Sequence, residues 1–264
     1  MKILVTVKEV AVPEDDFELA GNSISEKFLE YDLNEWDDYA VEEAVQLEEE
    51  LDEVEEVVGV TVGPERSEET IRMALAKGVD RAVRVWDDAL EGGELLDADA
   101  KAEVLASVVE EEDPDLVFTG VQADDDSLGA TGVALAERLG FQWAAVVNAF
   151  DYDSGDDVAY VHRELEGGVE EVTEIQTPAV FTIQTGINEP RYASLRGIRQ
   201  AQSKEIAEKS LDDLGLDSSV AETPISLNDM YEPEAESDTE YIEGGAADQA
   251  AALADVLKDE GVVE

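Results

Sequence analysis

Residues 120–132, with the sequence GVQADDDSLGATG, have the composition best suited to binding a ligand. They lie between a short apolar run and a helical pattern. Glycines allow a backbone to approach a ligand closely, and free N–H groups at the start of a helix bind anions such as phosphate. Three consecutive aspartates oppose a phosphate unless they point away, and a helix start capped by Asp and Ser is the alternative interpretation. The segment is therefore a candidate phosphate site, although it matches neither the P-loop nor the G-x-G-x-x-G pattern.

A second candidate lies in NEPRYASL, residues 188–195, where a basic and an aromatic residue stand in a predicted loop. Four cations fall within a short span of a very acidic chain: Arg191, Arg196, Arg199 and Lys204. Arginine and tyrosine are enriched where proteins contact one another. We therefore predict a partner surface here, rather than cations that face only solvent.

The remaining residue types exclude several kinds of chemistry. The chain has no cysteine, which excludes disulfides, thiolate metal sites and a thiol nucleophile. Its single histidine, His162, falls in a strand pattern. We predict that its ring either faces solvent or has its hydrogen bonds made within the strand region. We interpret Trp36, Trp86 and Trp143 as packing residues. A single histidine also disfavours His-cluster metal sites and most His-dependent catalytic triads, and we expect no metal site.

The charge of the chain limits its partners. Its 264 residues include 68 acidic and 17 basic side chains, for a formal net charge of -51. Such acidity disfavours nucleic acids and anionic membranes. Acidic runs recur along the whole length, which predicts adaptation to multimolar salt; an ordinary acidic protein is the alternative. No apolar stretch is long enough to span a membrane, and the first residues are unlike a signal peptide, so we expect a cytoplasmic protein.

Hydrophobic periodicity through about the first 140 residues alternates between strand and helix four times. The predicted strands are 2–7, 54–62, 82–86 and 116–119, and the predicted helices are 37–51, 67–77, 97–111 and 130–139. This alternation predicts an α/β fold with a mostly parallel, doubly wound, Rossmann-like sheet and helices on both faces. Ligands of such sheets bind beyond the carboxyl ends of the strands, where residues 120–132 would lie.

The pattern changes after about residue 142. Strands are predicted at 144–150, 158–165, 169–176 and 179–184 without helices between them, and we expect them to extend the sheet by antiparallel additions. A short helix is expected within 187–203, an arm or linker at 218–245 and a final helix at 246–258. We therefore predict a domain over residues 1–217 and a C-terminal arm with a terminal helix over 218–264.

Eight segments, in this order and spacing, are specific enough to indicate a family. They are KILVTVKEV at 2–10, AVEEAVQL at 40–47, VTVGPE at 60–65, SEETIRMALAKGVDRAVRV at 67–85, GVQADDDSLGATG at 120–132, VHRELEGGVEE at 161–171, TPAVFTIQTGINEPRYASLRGI at 177–198 and LDDLGLD at 211–217. Through them the chain resembles, over nearly its whole length, the β subunit of electron transfer flavoprotein. The combination of NEPRYASL with RELEGG is the most specific part of the resemblance.

The resemblance implies a heterodimeric electron carrier rather than an enzyme. In that family an α subunit holds a redox-active FAD, and electrons pass from dehydrogenases, typically acyl-CoA dehydrogenases, towards a quinone reductase. The β subunit embraces α with its C-terminal arm and binds AMP, whereas in electron-bifurcating members the same pocket holds a second FAD. AMP is the nucleotide we expect here, with the bifurcating type as the alternative.

Matching positions imply that three short segments and one loop contact the nucleotide. They are Thr6, Asn34, Glu35, Trp36, Asp37 and Val62, followed by Gly120, Val121, Gln122, Ala123, Asp124, Asp125, Asp126, Ser127, Leu128, Gly129, Ala130 and Thr131. The chain departs from the family pattern at Val121, where a lysine is usual, and at Glu35, where a proline is usual. An aromatic residue that approaches the α flavin in some members corresponds to Pro13.

The resemblance also implies contacts with partners. Residues 191–198 match the recognition loop of the family, in which Leu195 would enter an apolar pocket on the dehydrogenase, with Arg191, Tyr192 and Ile198 beside it. Glu164 matches a glutamate that approaches the mobile flavin domain of α.

Two other protein classes share parts of these features. One is a stand-alone nucleotide-binding protein of the universal-stress type, which would need neither the extra strands nor the arm of residues 142–264. The other is a nucleotide-dependent ligase, which would need a catalytic base cluster or a Walker-type loop, and neither is present in the sequence.

Overall fold

The computed structural model describes residues 1–91, 96–233 and 241–262. The chain divides into two compact units, Met1–Met230 and Tyr231–Glu264. The strands are β1 (Lys2–Thr6), β2 (Glu9–Pro13), β3 (Leu29–Leu33), β4 (Glu56–Val62), β5 (Arg81–Val85), β6 (Leu116–Gly120), β7 (Gln142–Asp153), β8 (Val158–Leu165), β9 (Val169–Gln176), β10 (Ala179–Ile183) and β11 (Ile206–Lys209). The helices are α1 (Glu35–Glu50), α2 (Glu68–Lys77), α3 (Asp88–Glu91), α4 (Ala98–Glu112), α5 (Thr131–Leu139), α6 (Leu195–Ala201) and α7 (Ala246–Asp259).

Within the described residues, nine strands form one sheet in the order β11-β5-β4-β1-β6-β10-β7-β8-β9. Every neighbouring pair from β11 to β7 is parallel, while β8 and β9 are antiparallel additions at one edge. The strands β2 and β3 pair separately. The chain passes from β1 to β4 and β5 on one side and then returns to β6 on the other side of β1. The switch point, where ligands of such folds bind, therefore lies between β1 and β6.

Alternate residues of the central strands enter two separate cores, as expected for a sheet covered on both faces. Ile3 and Val5 of β1 belong to the core that also contains residues of α1 and α2. Leu4 belongs to the other core, among residues of α4 and α5. All three side chains are completely buried, which explains why an uninterrupted apolar run forms the central strand.

The predicted alternation of strands and helices is confirmed, with ends displaced by a few residues. One part of the sheet prediction is wrong, because residues 144–150 and 179–184 belong to β7 and β10, which lie parallel to each other. The reason lies in β10, which inserts between β6 and β7. All of its residues are buried, a pattern typical of a strand covered on both faces rather than of an added hairpin. Only β8 and β9 are antiparallel additions.

Four short elements were not predicted from the sequence: β2, β3, α3 and β11. The pair β2 and β3 lies in the polar segment before α1 and is only partly buried, so it has no continuous apolar run. The strand β11 has four residues and pairs with β5 at the edge of the sheet. Such short edge strands carry little hydrophobic signal.

The second unit contains α7, at the position of the predicted final helix, where the Gln249 side chain donates a hydrogen bond to the Ile242 carbonyl at 3.0 Å. Within the predicted arm, residues 218–221 form a 3-10 turn whose Val220 is buried in the first unit, and residues 222–233 form neither helix nor strand. Residues 234–240 of the arm lie outside the described residues. No described helix is both long and apolar enough to cross a bilayer.

Candidate functional site

A cleft of about 220 Å³ opens where β1, β4 and β6 end. It lies at the switch point of the sheet, where doubly wound folds bind their ligands. Its lining consists of Thr6, Val7, Lys8, Asn34, Asp37, Val60, Val62, Trp86, Leu90, Leu96, Lys101, Leu105, Thr119, Gly120, Val121, Gln122, Ala123, Asp126, Gly129, Ala130 and Thr131. The described side chains of the whole structure include no cluster of three or more His, Asp or Glu that could hold a metal ion.

Asp37, in the first turn of α1, connects the ends of β1 and β6. Its carboxylate accepts hydrogen bonds from the backbone N–H groups of Lys8 at 2.8 Å and Gly120 at 2.9 Å. The residue is only 3% exposed, and this burial raises its pKa to about 6, although the two hydrogen bonds act in the opposite direction. A Cβ atom on Gly120 would lie 2.6 Å from the Cβ of Trp36, so glycine is required for β6 to end this close to α1.

Asn34, the residue before α1, holds the predicted phosphate segment in place. Its side-chain amide donates to the Gln122 carbonyl at 2.9 Å, and its side-chain oxygen accepts from the Asp124 backbone N–H at 3.2 Å. The side chain is buried, so these hydrogen bonds are shielded from water. The start of α1 is therefore connected to residues 122–124, of which Gln122 and Ala123 line the cleft.

Two of the three consecutive aspartates face lysines. Asp126 pairs with Lys8 at 3.0 Å and with Lys101 of α4 at 2.5 Å, and Asp125 pairs with Lys8. Burial opposes ionisation of Asp126, but hydrogen bonds from Lys101, Leu128 and Lys8 outweigh it and lower its pKa to about 2. Two of the three negative charges that oppose a phosphate in the sequence are thus compensated in the folded chain.

The start of α5 offers backbone donors to the cleft. Its N-cap, Ala130, has no side chain that can accept a hydrogen bond from the first turn of the helix. Gly129 before it has a φ of +59°, which a glycine adopts without strain. A Cβ on Gly132 would lie 2.5 Å from the Thr119 hydroxyl, so glycine lets the helix start against the end of β6. This geometry suits an anionic group.

Most of the positions implied by the family resemblance line the cleft. These are Thr6, Asn34, Asp37, Val62, Gly120, Val121, Gln122, Ala123, Asp126, Gly129, Ala130 and Thr131. The lining does not include Glu35, Trp36, Asp124, Asp125, Ser127 or Leu128. The indole of Trp36 donates instead to the Gln184 side chain at 3.0 Å, which agrees with a packing role.

Several lining residues were not predicted from the sequence: Val7, Lys8, Val60, Trp86, Leu90, Leu96, Lys101, Leu105 and Thr119. Lys8 and Trp86 directly follow β1 and β5, so their position at strand ends could have identified them. Trp86 is partly buried against the core on the α4 side while lining the cleft, so its role includes more than packing.

The lining suits a ligand with one flat apolar part and one anionic part. Val60, Val62, Trp86, Leu90 and Leu105 supply apolar surface, whereas the lysines and the start of α5 supply positive charge and N–H donors. A small cleft with an apolar wall and a few placed polar groups is the usual form of a small-molecule site. A nucleoside phosphate combines these two features.

The predicted recognition loop, residues 191–198, exposes two large side chains on a firmly attached backbone. Tyr192 is 98% exposed and Leu195 is 79% exposed. The Arg191 side chain binds Glu42 and Glu49 of α1 at 2.8 and 2.7 Å. At α6, a Cβ on Gly197 would collide with the Ala76 carbonyl, so the helix packs directly against α2. The exposed residues are therefore presented in a fixed position.

Of the four cations near this loop, two serve the fold and two face outward. Arg191 is bound to α1, and the Lys204 ammonium donates to the carbonyls of Gly78 and Val79 at 3.1 and 2.6 Å, at the end of α2. Arg196 and Arg199 are exposed and pair with no carboxylate among the described residues. Two exposed arginines therefore lie on the same short helix as Leu195, within a very acidic chain.

Glu164 lies near the end of β8 and is exposed. Its carboxylate accepts a hydrogen bond from the Gln184 side chain at 3.3 Å, and Gln184 in turn accepts from Trp36. This chain of contacts connects β8 with the start of α1. His162, on the same strand, is exposed, as predicted.

Comparison with known proteins identifies the family. Residues 22–214 match the electron transfer flavoprotein domain. The chain is 48% identical over 264 residues to the electron transfer flavoprotein subunit beta of Methylophilus methylotrophus, covering 98% of each chain. It is 32% identical over 265 residues to the subunit of the same name from Bacillus subtilis, covering both chains completely. A mitochondrial subunit from Arabidopsis thaliana is 33% identical over 88% of this chain and 90% of its own length. The chain therefore belongs to the family of electron transfer flavoprotein β subunits.

Proposed function

We propose that this chain pairs with an α subunit to carry electrons from dehydrogenases of the acyl-CoA type towards a quinone reductase. The FAD that accepts and releases the electrons would be held mainly by α. This chain would act as a carrier subunit rather than an enzyme: it binds α, presents the recognition loop to the dehydrogenase and holds a structural nucleotide. We expect it to work in the cytoplasm, together with the dehydrogenases that supply its electrons.

The observation that carries this proposal is the exposure of Leu195 and Tyr192 on a loop whose backbone is anchored by Arg191. A solvated apolar side chain on a rigid loop loses little conformational entropy when it enters a pocket. Arg196 and Arg199 beside it pair with no carboxylate in the part of the chain that the structure describes, and they favour a partner surface with carboxylates around an apolar pocket. Ile198, which is 42% exposed, extends the apolar contact along α6.

We further propose that the cleft holds AMP. The apolar wall suits an adenine base, and the start of α5 suits one phosphate. Because lysines compensate Asp125 and Asp126, these aspartates oppose a phosphate less than their sequence suggests. The electron-bifurcating type, with a second FAD in this cleft, is the alternative. A stand-alone nucleotide-binding protein is disfavoured by similarity to β subunits over the whole chain.

Contacts with α are proposed for two regions of the chain. Glu164 would face the flavin domain of α, since its carboxylate is held at an exposed strand end by Gln184. The C-terminal arm, which includes the exposed face of α7, would embrace α. An amphipathic helix without buried residues in its own unit needs a partner for its apolar side.

One purification tests the main points of this proposal. The chain, expressed with its α subunit, should co-purify as a heterodimer and reduce an electron-accepting dye when an acyl-CoA dehydrogenase and its substrate are added. Acid extraction and chromatography should give one FAD and one AMP per heterodimer. Two FAD without AMP would support the bifurcating type. A chain that purifies without α and supports no dye reduction would contradict the proposed function.

A further inference from the structure

Two lysines stand in the wall of the cleft, in a chain with only 17 basic residues. Lys8 follows β1, and Lys101 lies on α4. Both ammonium groups reach the same carboxylate oxygen of Asp126, at 3.0 and 2.5 Å. An ammonium group has three N–H donors. Within the described residues, Lys101 uses one of them and Lys8 uses two, so donors remain for a ligand.

We propose that Lys8 and Lys101 bind the phosphate of the nucleotide, with Asp126 holding both ammonium groups at the wall of the cleft. This inference rests on the nucleotide-binding role proposed above and names the cationic side chains that would contact the phosphate. The phosphate segment itself carries no cation, since residues 120–131 contain neither lysine nor arginine.

Asp126 brings two ammonium groups to one point of the wall. Both converge on its carboxylate, and together the two lysines balance the charges of Asp125 and Asp126. The other lining carboxylate, Asp37, accepts backbone N–H groups of Lys8 and Gly120. The two lysines therefore add no surplus charge to the wall, but among the described residues each ammonium group keeps at least one unused N–H donor beside carboxylates that are already compensated.

The start of α5 lines the same cleft and supports the same ligand. Ala130 leaves the first N–H groups of that helix without a side-chain acceptor, so they can bind an oxyanion together with the lysines. Two ammonium groups and one helix start match a single phosphate group better than the extended pyrophosphate of a dinucleotide. The ligand class that this site favours is therefore a nucleoside monophosphate.

The test compares AMP with adenosine, which lacks the phosphate. Binding to the heterodimer, freed of nucleotide, is measured by titration calorimetry for the unaltered protein, Lys101→Met, Lys101→Arg and the control Lys209→Met. The control removes a lysine that pairs with Glu111 outside the cleft. We expect Lys101→Met to weaken AMP binding about tenfold or more without changing adenosine binding, because a hydrogen bond to a charged group is lost. Lys101→Arg should retain most of the affinity, and Lys209→Met all of it.

Other outcomes distinguish failure of the lysine assignment from failure of the proposed nucleotide-binding role. Equal weakening of AMP and adenosine by Lys101→Met, or no effect on either, would overturn the phosphate assignment while leaving a nucleotide site in place. An unaltered protein that binds neither ligand would overturn the nucleotide role itself. If Lys101→Met folds poorly, the double variant Lys101→Met/Asp126→Asn also removes the carboxylate that has lost one of its two cations, while Lys8 keeps Asp125 as its partner. A selective loss of AMP binding in the double variant supports the proposal, and full recovery of AMP affinity contradicts it.

Discussion

The Glu42 carboxylate accepts hydrogen bonds from both the backbone N–H and the guanidinium of Arg191, at 3.0 and 2.8 Å, across 149 residues of sequence. Burial opposes ionisation of Glu42, but the hydrogen bonds from Arg191 and Gln46 outweigh it and lower its pKa. This contact fixes the first residue of the recognition loop to the middle of α1. The loop is therefore part of the folded core unit rather than an independent surface segment.

Replacing Arg191 with methionine should loosen the recognition loop. The change leaves the buried Glu42 carboxylate without its cation, at a cost of about 1–3 kcal/mol in the free energy of unfolding. Hydrogen exchange of the backbone amides of residues 188–198 should become faster. Arg138→Met is the control, because Arg138 pairs with the exposed Asp99 and Glu103, and exposed pairs contribute little. Equal protection of the loop in both variants would contradict the anchoring role.

Replacing Leu195 with alanine should slow electron delivery from a dehydrogenase. An apolar anchor that fills a pocket contributes on the order of 2 kcal/mol to binding, or about a 30-fold change in dissociation constant. Dye reduction through the heterodimer, at protein concentrations below saturation, measures this effect. The AMP content should not change. Leu19→Ala removes an exposed leucine elsewhere and should leave the rate unaltered. A wild-type rate for Leu195→Ala would show that the loop does not dock through this residue.

Asp37 should make stability depend on pH. Its pKa is about 6 in the folded chain, against 3.8 for an aspartate in water, so between these values the folded state binds a proton that the unfolded state does not. The free energy of unfolding should then fall as pH rises from about 4 to 6, by on the order of 3 kcal/mol from this residue. Asp37→Asn carries no such proton and should lack this contribution.

The measurement is urea unfolding of the full-length chain at pH 4, 5, 6 and 7 in constant 3 M KCl. The stability advantage of the unaltered chain over Asp37→Asn should shrink as pH rises, and the comparison cancels the titration of the other carboxylates. Asp16→Asn, at an exposed position between β2 and β3, controls for the loss of one negative charge. An advantage that stays constant across the pH range would refute the raised pKa.

The chain should be less stable at low salt. Most of its cations already pair with carboxylates or carbonyls inside the fold, as Arg81 does with Glu56 and Glu112, so most acidic side chains have no cation beside them. Repulsion among them extends over about 10 Å at 0.1 M salt and about 3 Å at 1 M. Thermal melting followed by circular dichroism should give a lower midpoint in 0.1 M than in 3 M KCl. Equal midpoints would contradict adaptation to high salt.

The position of the cleft could be predicted from the sequence because strand and helix alternate and the segment 120–131 follows a strand. The partners of the aspartates could not. Lys101 is one of several charged residues in the first turns of α4, and nothing in the sequence marks it as a partner of Asp126. Only the packing of α4 against the sheet brings it to Asp126. Likewise, the parallel pairing of β10 depends on its insertion between β6 and β7, which strand spacing does not reveal.

The helix α1 contacts both the cleft and the loop of residues 191–198. Asn34 and Asp37 at its start shape the cleft, and Glu42 and Glu49 farther along it hold the recognition loop. These features therefore do not form separate modules. A chimera that received the recognition loop of a relative without the matching α1 would lack the carboxylates that hold it. Exchanging α1 would in turn alter the wall of the cleft. Under the proposed function, a graft meant to transfer specificity for a dehydrogenase should therefore contain α1 and residues 188–201 together, and it would carry one wall of the cleft with it.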